Sequence, residues 1–125
     1  MIITSCSPSD TTQGGSIPYP DIERIDLSDA YDAFDNDSAI FLDVRNPAEL
    51  TQGSIPGSVN IPVNELSEHL DELDPEASYI TLCTWPSEQT SARAAQLLVD
   101  NSYTDVKPLL GGYEAWVQAD YPVEP

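Results

Sequence analysis

The sequence predicts an α/β domain built on a five-stranded, mostly parallel sheet with helices on both faces. Three observations lead there. Strand-like and helix-like patterns alternate along the chain, and such alternation builds parallel sheets with crossover helices. Ala39-Ile40-Phe41-Leu42-Asp43-Val44 is a nearly unbroken apolar run, as expected of a strand buried on both faces. The chain has 125 residues, 40% of them hydrophobic, which suffices for one sizeable core.

In order, residues 1–21 read as a flexible segment preceding a domain at 22–125. Ser7 to Ser16 has a linker composition, and Pro18 and Pro20 keep the following stretch extended. Ile22 to Leu27 alternates enough for a short edge strand. Ser28 is placed to cap a helix running to about Asn36, with Tyr31 and Phe34 turned inward. The apolar run at 39–44 is the second strand. Asn46-Pro47-Ala48-Glu49 reads as a helix start, and Gly53 ends that helix early. Val59-Asn60-Ile61 is a short strand stopped by Pro62. Glu65 to Leu73 reads as one amphipathic helix, its apolar face Leu66, Leu70 and Leu73. Tyr79 to Leu82 is a strand and Ala92 to Val99 a helix, stopped at Asn101-Ser102-Tyr103. Val106 to Leu109 is the last strand, with Pro108 favouring an edge or strand end. After Gly111-Gly112, Tyr113 to Ala119 closes the chain as a helix with Trp116 inward.

Charge excludes several classes of function. Twenty-two acidic residues face four basic ones, for a net charge of −18. Nucleic acid needs clustered Lys and Arg, and an anionic membrane would repel this surface. The acids are spread along the chain and read as a solvated, self-repelling surface, resembling proteins of salt-loving organisms. One histidine, His69, cannot build a His-rich metal site, and it is expected to face solvent. No metal and no cofactor is expected. Cys6 and Cys83 lie far apart and do not form a disulfide framework. Ile3-Thr4-Ser5-Cys6 resembles a bacterial lipobox, with a polar tether after it but no basic stretch before it. Two expectations follow: an extracytoplasmic domain on a lipid anchor if Cys6 is lipidated, and a cytoplasmic one otherwise.

The chemistry centres on Cys83. It stands at the end of a strand, before a loop broken by Pro86 and a helix beyond. Amide groups of such a loop and helix start favour a thiolate, which is the nucleophilic form. The other reading is a buried core cysteine ending a strand. Asp43-Val44-Arg45, Cys83-Thr84-Trp85 and Gly111-Gly112 all follow strand ends, where open α/β sheets bind ligands. Arg45 stands four residues before Glu49 and is expected to pair with it.

Leu42-Asp43-Val44-Arg45, Glu49 and Gly53-Ser54-Ile55-Pro56-Gly57-Ser58-Val59-Asn60-Ile61-Pro62 resemble the first signature of the rhodanese, or thiosulfate sulfurtransferase-like, domain. Leu109-Leu110-Gly111-Gly112-Tyr113-Glu114-Ala115-Trp116 resembles its C-terminal signature. Cys83 lies where that family keeps its catalytic cysteine. The segment from Cys83 to Ala92 is similar to a variant loop, Cys-x-x-Pro-x-Glu-x-Thr-Ser-Ala, with Trp85 where a second cysteine is common. The resemblance implies a sulfurtransferase that carries sulfane sulfur as a Cys83 persulfide. Its donor would be a small compound such as thiosulfate, and its acceptor a thiol or a carrier protein. Substrate would meet Thr84, Trp85, Pro86, Ser87, Glu88, Gln89 and Thr90, with Asp43 and Arg45 supporting from beside the site. With no base before Arg93, persulfide charge is left to loop amides and the hydroxyls of Ser87 and Thr90.

Two other classes compete. A cysteine phosphatase of related fold places an arginine six residues after the cysteine; here Gln89 stands there, and Arg93 is too far along the helix to replace it. A non-enzymatic sulfur-carrier or protein-binding domain is the stronger alternative.

Overall fold

The computed structural model describes residues 22–83 and 89–124. Four parallel strands form one sheet: β1 (Ile40–Asp43), β2 (Val59–Asn60), β3 (Ser78–Leu82) and β4 (Asp105–Pro108), in the order β2-β1-β3-β4. Among the described residues three α-helices flank the sheet: α1 (Leu27–Asp35) before β1, α2 (Gln89–Asp100) between β3 and β4, and α3 (Gly112–Gln118) after β4.

The expected fifth strand is reduced to one bridge. Ile25 pairs in parallel with Leu109; its N–H donates to the Pro108 carbonyl at 2.9 Å and its own carbonyl accepts from Leu110 at 3.0 Å. The next residue, Asp26, is already the cap of α1, so the extended segment ends there. Asp26, rather than Ser28, does the capping: its Oδ1 accepts the Asp29 N–H at 2.8 Å. Pro108 ends β4, where its missing N–H costs no ladder bond within the sheet.

Strand periodicity separates the two faces. Leu42, Val44, Tyr79, Cys83 and Val106 pack with Ala94, Ala95 and Leu98 of α2 and with Leu66 and Leu73. Phe41, Ile80, Leu82 and Leu109 pack on the other side with Ala30 of α1 and Tyr113 and Trp116 of α3. The second face is aromatic. Trp116 is fully buried, with Phe41 edge-on at 5.4 Å and Phe34 at 5.5 Å, and its Nε1 donates to the Pro122 carbonyl at 2.7 Å.

Two expected helices differ. The helix expected after Asn46 is a 3-10 segment, Pro47–Gln52, and the Asn46 side chain makes no capping bond. The helix expected from Glu65 to Leu73 is two 3-10 pieces, Val63–Glu68 and Leu70–Glu72, parted at His69 (φ −116°). The segment is tied down by a residue far along the chain: the Tyr103 hydroxyl lies 2.7 Å from the Leu70 oxygen, which also accepts the Leu73 N–H at 3.1 Å, and 3.0 Å from the oxygen of Leu73. The apolar face still packs inward, through buried Leu66 and Leu73 and partly buried Leu70. His69 is partly exposed, and its Nδ1 lies 2.7 Å from Glu72, a contact that raises its pKa.

Candidate active site

Cys83 is the first residue beyond β3. Its position is set by bonds on both sides. The Leu82 carbonyl accepts the Val44 N–H at 3.0 Å, and the Cys83 carbonyl accepts the Tyr113 N–H at 2.9 Å. Within β3, Thr81 Oγ1 donates to the Ser91 carbonyl of α2 at 2.9 Å, both residues being fully buried. That bond fixes the start of α2 against the strand carrying the cysteine. Cys83 is 4% exposed and belongs to the α2-side core.

The thiol borders a cavity of about 420 Å³ beyond the C-terminal ends of β1 and β3. Its apolar lining is Val44 and Val63; its neutral polar lining is Asn46, Asn64 and Thr90. Arg45, Arg93 and Glu49 supply charge. A larger cavity, about 630 Å³, lies at the N-terminal ends of β1 and β3 around Phe34, Ile40, Phe41 and Val59. It has no Cys or His in its lining, so the smaller one holds the candidate chemistry.

Arg45 does not pair with Glu49 as expected. Two residues apart on extended chain, Asp43 and Arg45 share a face, and the guanidinium meets the carboxylate directly. Arg45 Nε lies 2.9 Å from Asp43 Oδ1 and Nη2 lies 2.6 Å from Oδ2. Nη2 also donates to the Gly53 carbonyl at 2.9 Å, and the guanidinium stacks 4.1 Å from the Tyr113 ring centroid. Both partners are nearly inaccessible, so this is a buried, hydrogen-bonded pair. Asn60 Nδ2 donates to the carbonyls of Asp43 (2.9 Å) and Arg45 (3.0 Å), fixing the turn from below. Gly53 is required here. Its φ is +116°, and a Cβ would stand 2.7 Å from the Tyr113 hydroxyl. Burial pushes the Tyr113 pKa up, against the nearby Arg45 charge.

Of the residues expected to meet substrate, Thr84, Trp85, Pro86, Ser87 and Glu88 lie outside the described residues. Gln89 begins α2. Thr90 lines the Cys83 cavity; so does Arg45, whereas Asp43 lies behind it. Sequence reasoning missed Arg93, Asn46, Asn64 and Glu49. The signal for Arg93 was present: it stands three residues after Thr90 and therefore shares its helix face. Asn64 follows β2 at the same C-terminal rim, so the strand-end rule would have reached it. Arg93 is exposed, and no carboxylate among the described residues pairs with it. Arg45 is neutralised by Asp43, so Arg93 is the basic side chain at this cavity left to meet a ligand.

A parallel sheet with a cysteine at the C-terminal end of a strand, a helix from Gln89 that packs on that strand, and the buried Asp43–Arg45 pair beside the site define the class. The profile of the Rhodanese-like domain matches residues 26–119, and the chain belongs to that family. It is 28% identical over 89 residues to a sulfurtransferase of Allochromatium vinosum, covering 71% of this chain and 81% of that one. It is 26% identical over 95 residues to thiosulfate sulfurtransferase GlpE of Glaesserella parasuis, covering 76% and 86%. Among solved structures, a rhodanese-related protein of Thermoplasma volcanium superposes with a TM-score of 0.74 at 32% identity, covering 82% and 97%.

Proposed function

We propose that residues 22–125 form a sulfurtransferase domain in which Cys83 carries sulfane sulfur, with residues 1–21 as its tether. The observation that supports this most is the thiol's place at the cavity beyond β1 and β3 in a rhodanese-like chain. In the first step the Cys83 thiolate attacks the outer sulfur of a donor such as thiosulfate. The donor S–S bond breaks, sulfite leaves with its electron pair, and Cys83 holds a persulfide. In the second step a nucleophile attacks the outer sulfur and Cys83 leaves as thiolate. Amides of residues 84–90, with the hydroxyls of Ser87 and Thr90, hold the anionic persulfide. Arg45, locked by Asp43, shapes the rim without moving. Polar lining from separate segments of the chain suits a small anionic compound, because fixed dipoles replace its water shell.

The test is intact-protein mass after incubation with thiosulfate. Wild type is expected to gain one sulfur atom that a reductant removes, and Cys83→Ser none. No gain with thiosulfate or with a polysulfide, in folded protein over a range of salt, would overturn the reading and favour a binding domain.

A further inference from the structure

A second chamber, about 370 Å³, adjoins the Cys83 cavity and shares Val63, Asn64 and Arg93 with it. It adds Ser67 from the 3-10 segment and Gln96, Leu97 and Asp100 from α2. The two volumes therefore meet at Arg93, with the thiol on one side and a new lining on the other. That lining is not suited to a bare inorganic anion. It offers an amide and a hydroxyl (Asn64 and Ser67), apolar walls (Val63 and Leu97), and a carboxylate at Asp100. Gln96 Nε2 donates to Asp100 Oδ1 at 2.8 Å and holds that carboxylate in place. Charge thus changes sign along the chamber, from Arg93 at the junction to Asp100.

We propose that this chamber seats the sulfur acceptor, and that the acceptor is a small organic thiol carrying a carboxylate close to its sulfur and an amide beyond. This rests on Cys83 carrying a persulfide. The carboxylate sits on Arg93 at the junction, and repulsion from Asp100 disfavours the reverse orientation. The thiol then points into the Cys83 cavity, and the amide-bearing end lies along Asn64 and Ser67 between Val63 and Leu97. The acceptor thiolate, RS⁻, attacks the outer sulfur of Cys83–S–SH. A new S–S bond forms, the old one breaks, and Cys83 leaves as thiolate while RS–SH departs. No oxidant or reductant is consumed. Arg93 is a positioning residue in this scheme: it places the thiol and takes no proton.

The experiment loads the full chain with sulfur, checks the load by mass, and follows persulfide discharge by N-acetylcysteine and by its carboxamide. The two differ only in the carboxylate. Wild type is expected to half-saturate at roughly fivefold lower concentration with the carboxylate, the size of an exposed charge contact. Arg93→Gln should bring the two acceptors together, and Arg93→Lys should keep part of the difference. A wild type that treats both alike, or an Arg93→Gln variant that keeps the full difference, overturns the proposal. A second readout needs no sulfur load. In Cys83→Ser, N-acetylcysteine should shift the side-chain amide resonances of Asn64 and Gln96 saturably, and adding Arg93→Gln should abolish the shift. If Cys83 never loads sulfur but these shifts occur, the sulfur-transfer reading falls and the chamber stands as a carboxylate-ligand site. If they do not occur, the chamber proposal falls.

Discussion

Arg45 shows what a single side chain does here. Its charge is satisfied by Asp43, its planar guanidinium face lies over the Tyr113 ring, and its Nη2 also ties the turn at Gly53. Neither it nor Asp43 is more than 3% exposed. Removing one partner strands a buried charge, which costs about 3–5 kcal/mol. Arg45→Met is therefore expected to lose about that much stability in urea unfolding. Combining it with Asp43→Leu, which removes both charges, should recover most of the loss. Arg93 is the opposite case. It is exposed and lacks an acidic partner among the described residues, so its substitution should move acceptor selectivity rather than stability.

At the scale of elements, tertiary hydrogen bonds overrule local pattern. The stretch from Glu65 to Leu73 has helical spacing, yet it folds as two 3-10 pieces. Tyr103, a residue beyond α2, reaches back over it, and its hydroxyl lies within hydrogen-bond distance of the carbonyls of Leu70 and Leu73. Tyr103 is 6% exposed, so its hydroxyl has little recourse to water. Tyr103→Phe is expected to cost about 1 kcal/mol in chemical unfolding, with larger amide exchange at residues 70–73 than elsewhere. Unchanged exchange there would mean that the hydroxyl does not hold the segment. The α2 helix depends on its strand in the same way, since Thr81 fixes its first turn through the Ser91 carbonyl.

Across the whole molecule the net charge of −18 dominates. Like charges spread over a small surface repel one another and are screened over about 10 Å at 0.1 M salt. Added sodium chloride is therefore expected to raise the melting temperature. It should also raise turnover with thiosulfate, a dianion that the bare surface repels. The attraction of Arg93 is one local charge against that field, so it should not reverse the trend. A flat or falling rate in added salt, with the fold unchanged, would show that repulsion does not limit the donor's approach.

The alternation of elements, the doubly buried strand at 39–44 and the position of Cys83 were legible in the sequence, because they rest on local periodicity and on turn residues. The burial of Leu66, Leu73 and Trp116 was legible for the same reason. Tertiary structure decided the rest. It reduced the first strand to the Ile25 bridge, because the Asp26 cap ends extended chain there. It paired Arg45 with Asp43 rather than Glu49, because a strand's period of two outranked a helical spacing that never formed. It brought Arg93, Asn46 and Asn64 to the Cys83 cavity from three separate segments. Such convergence depends on how strands lie side by side, and sequence spacing carries no record of that.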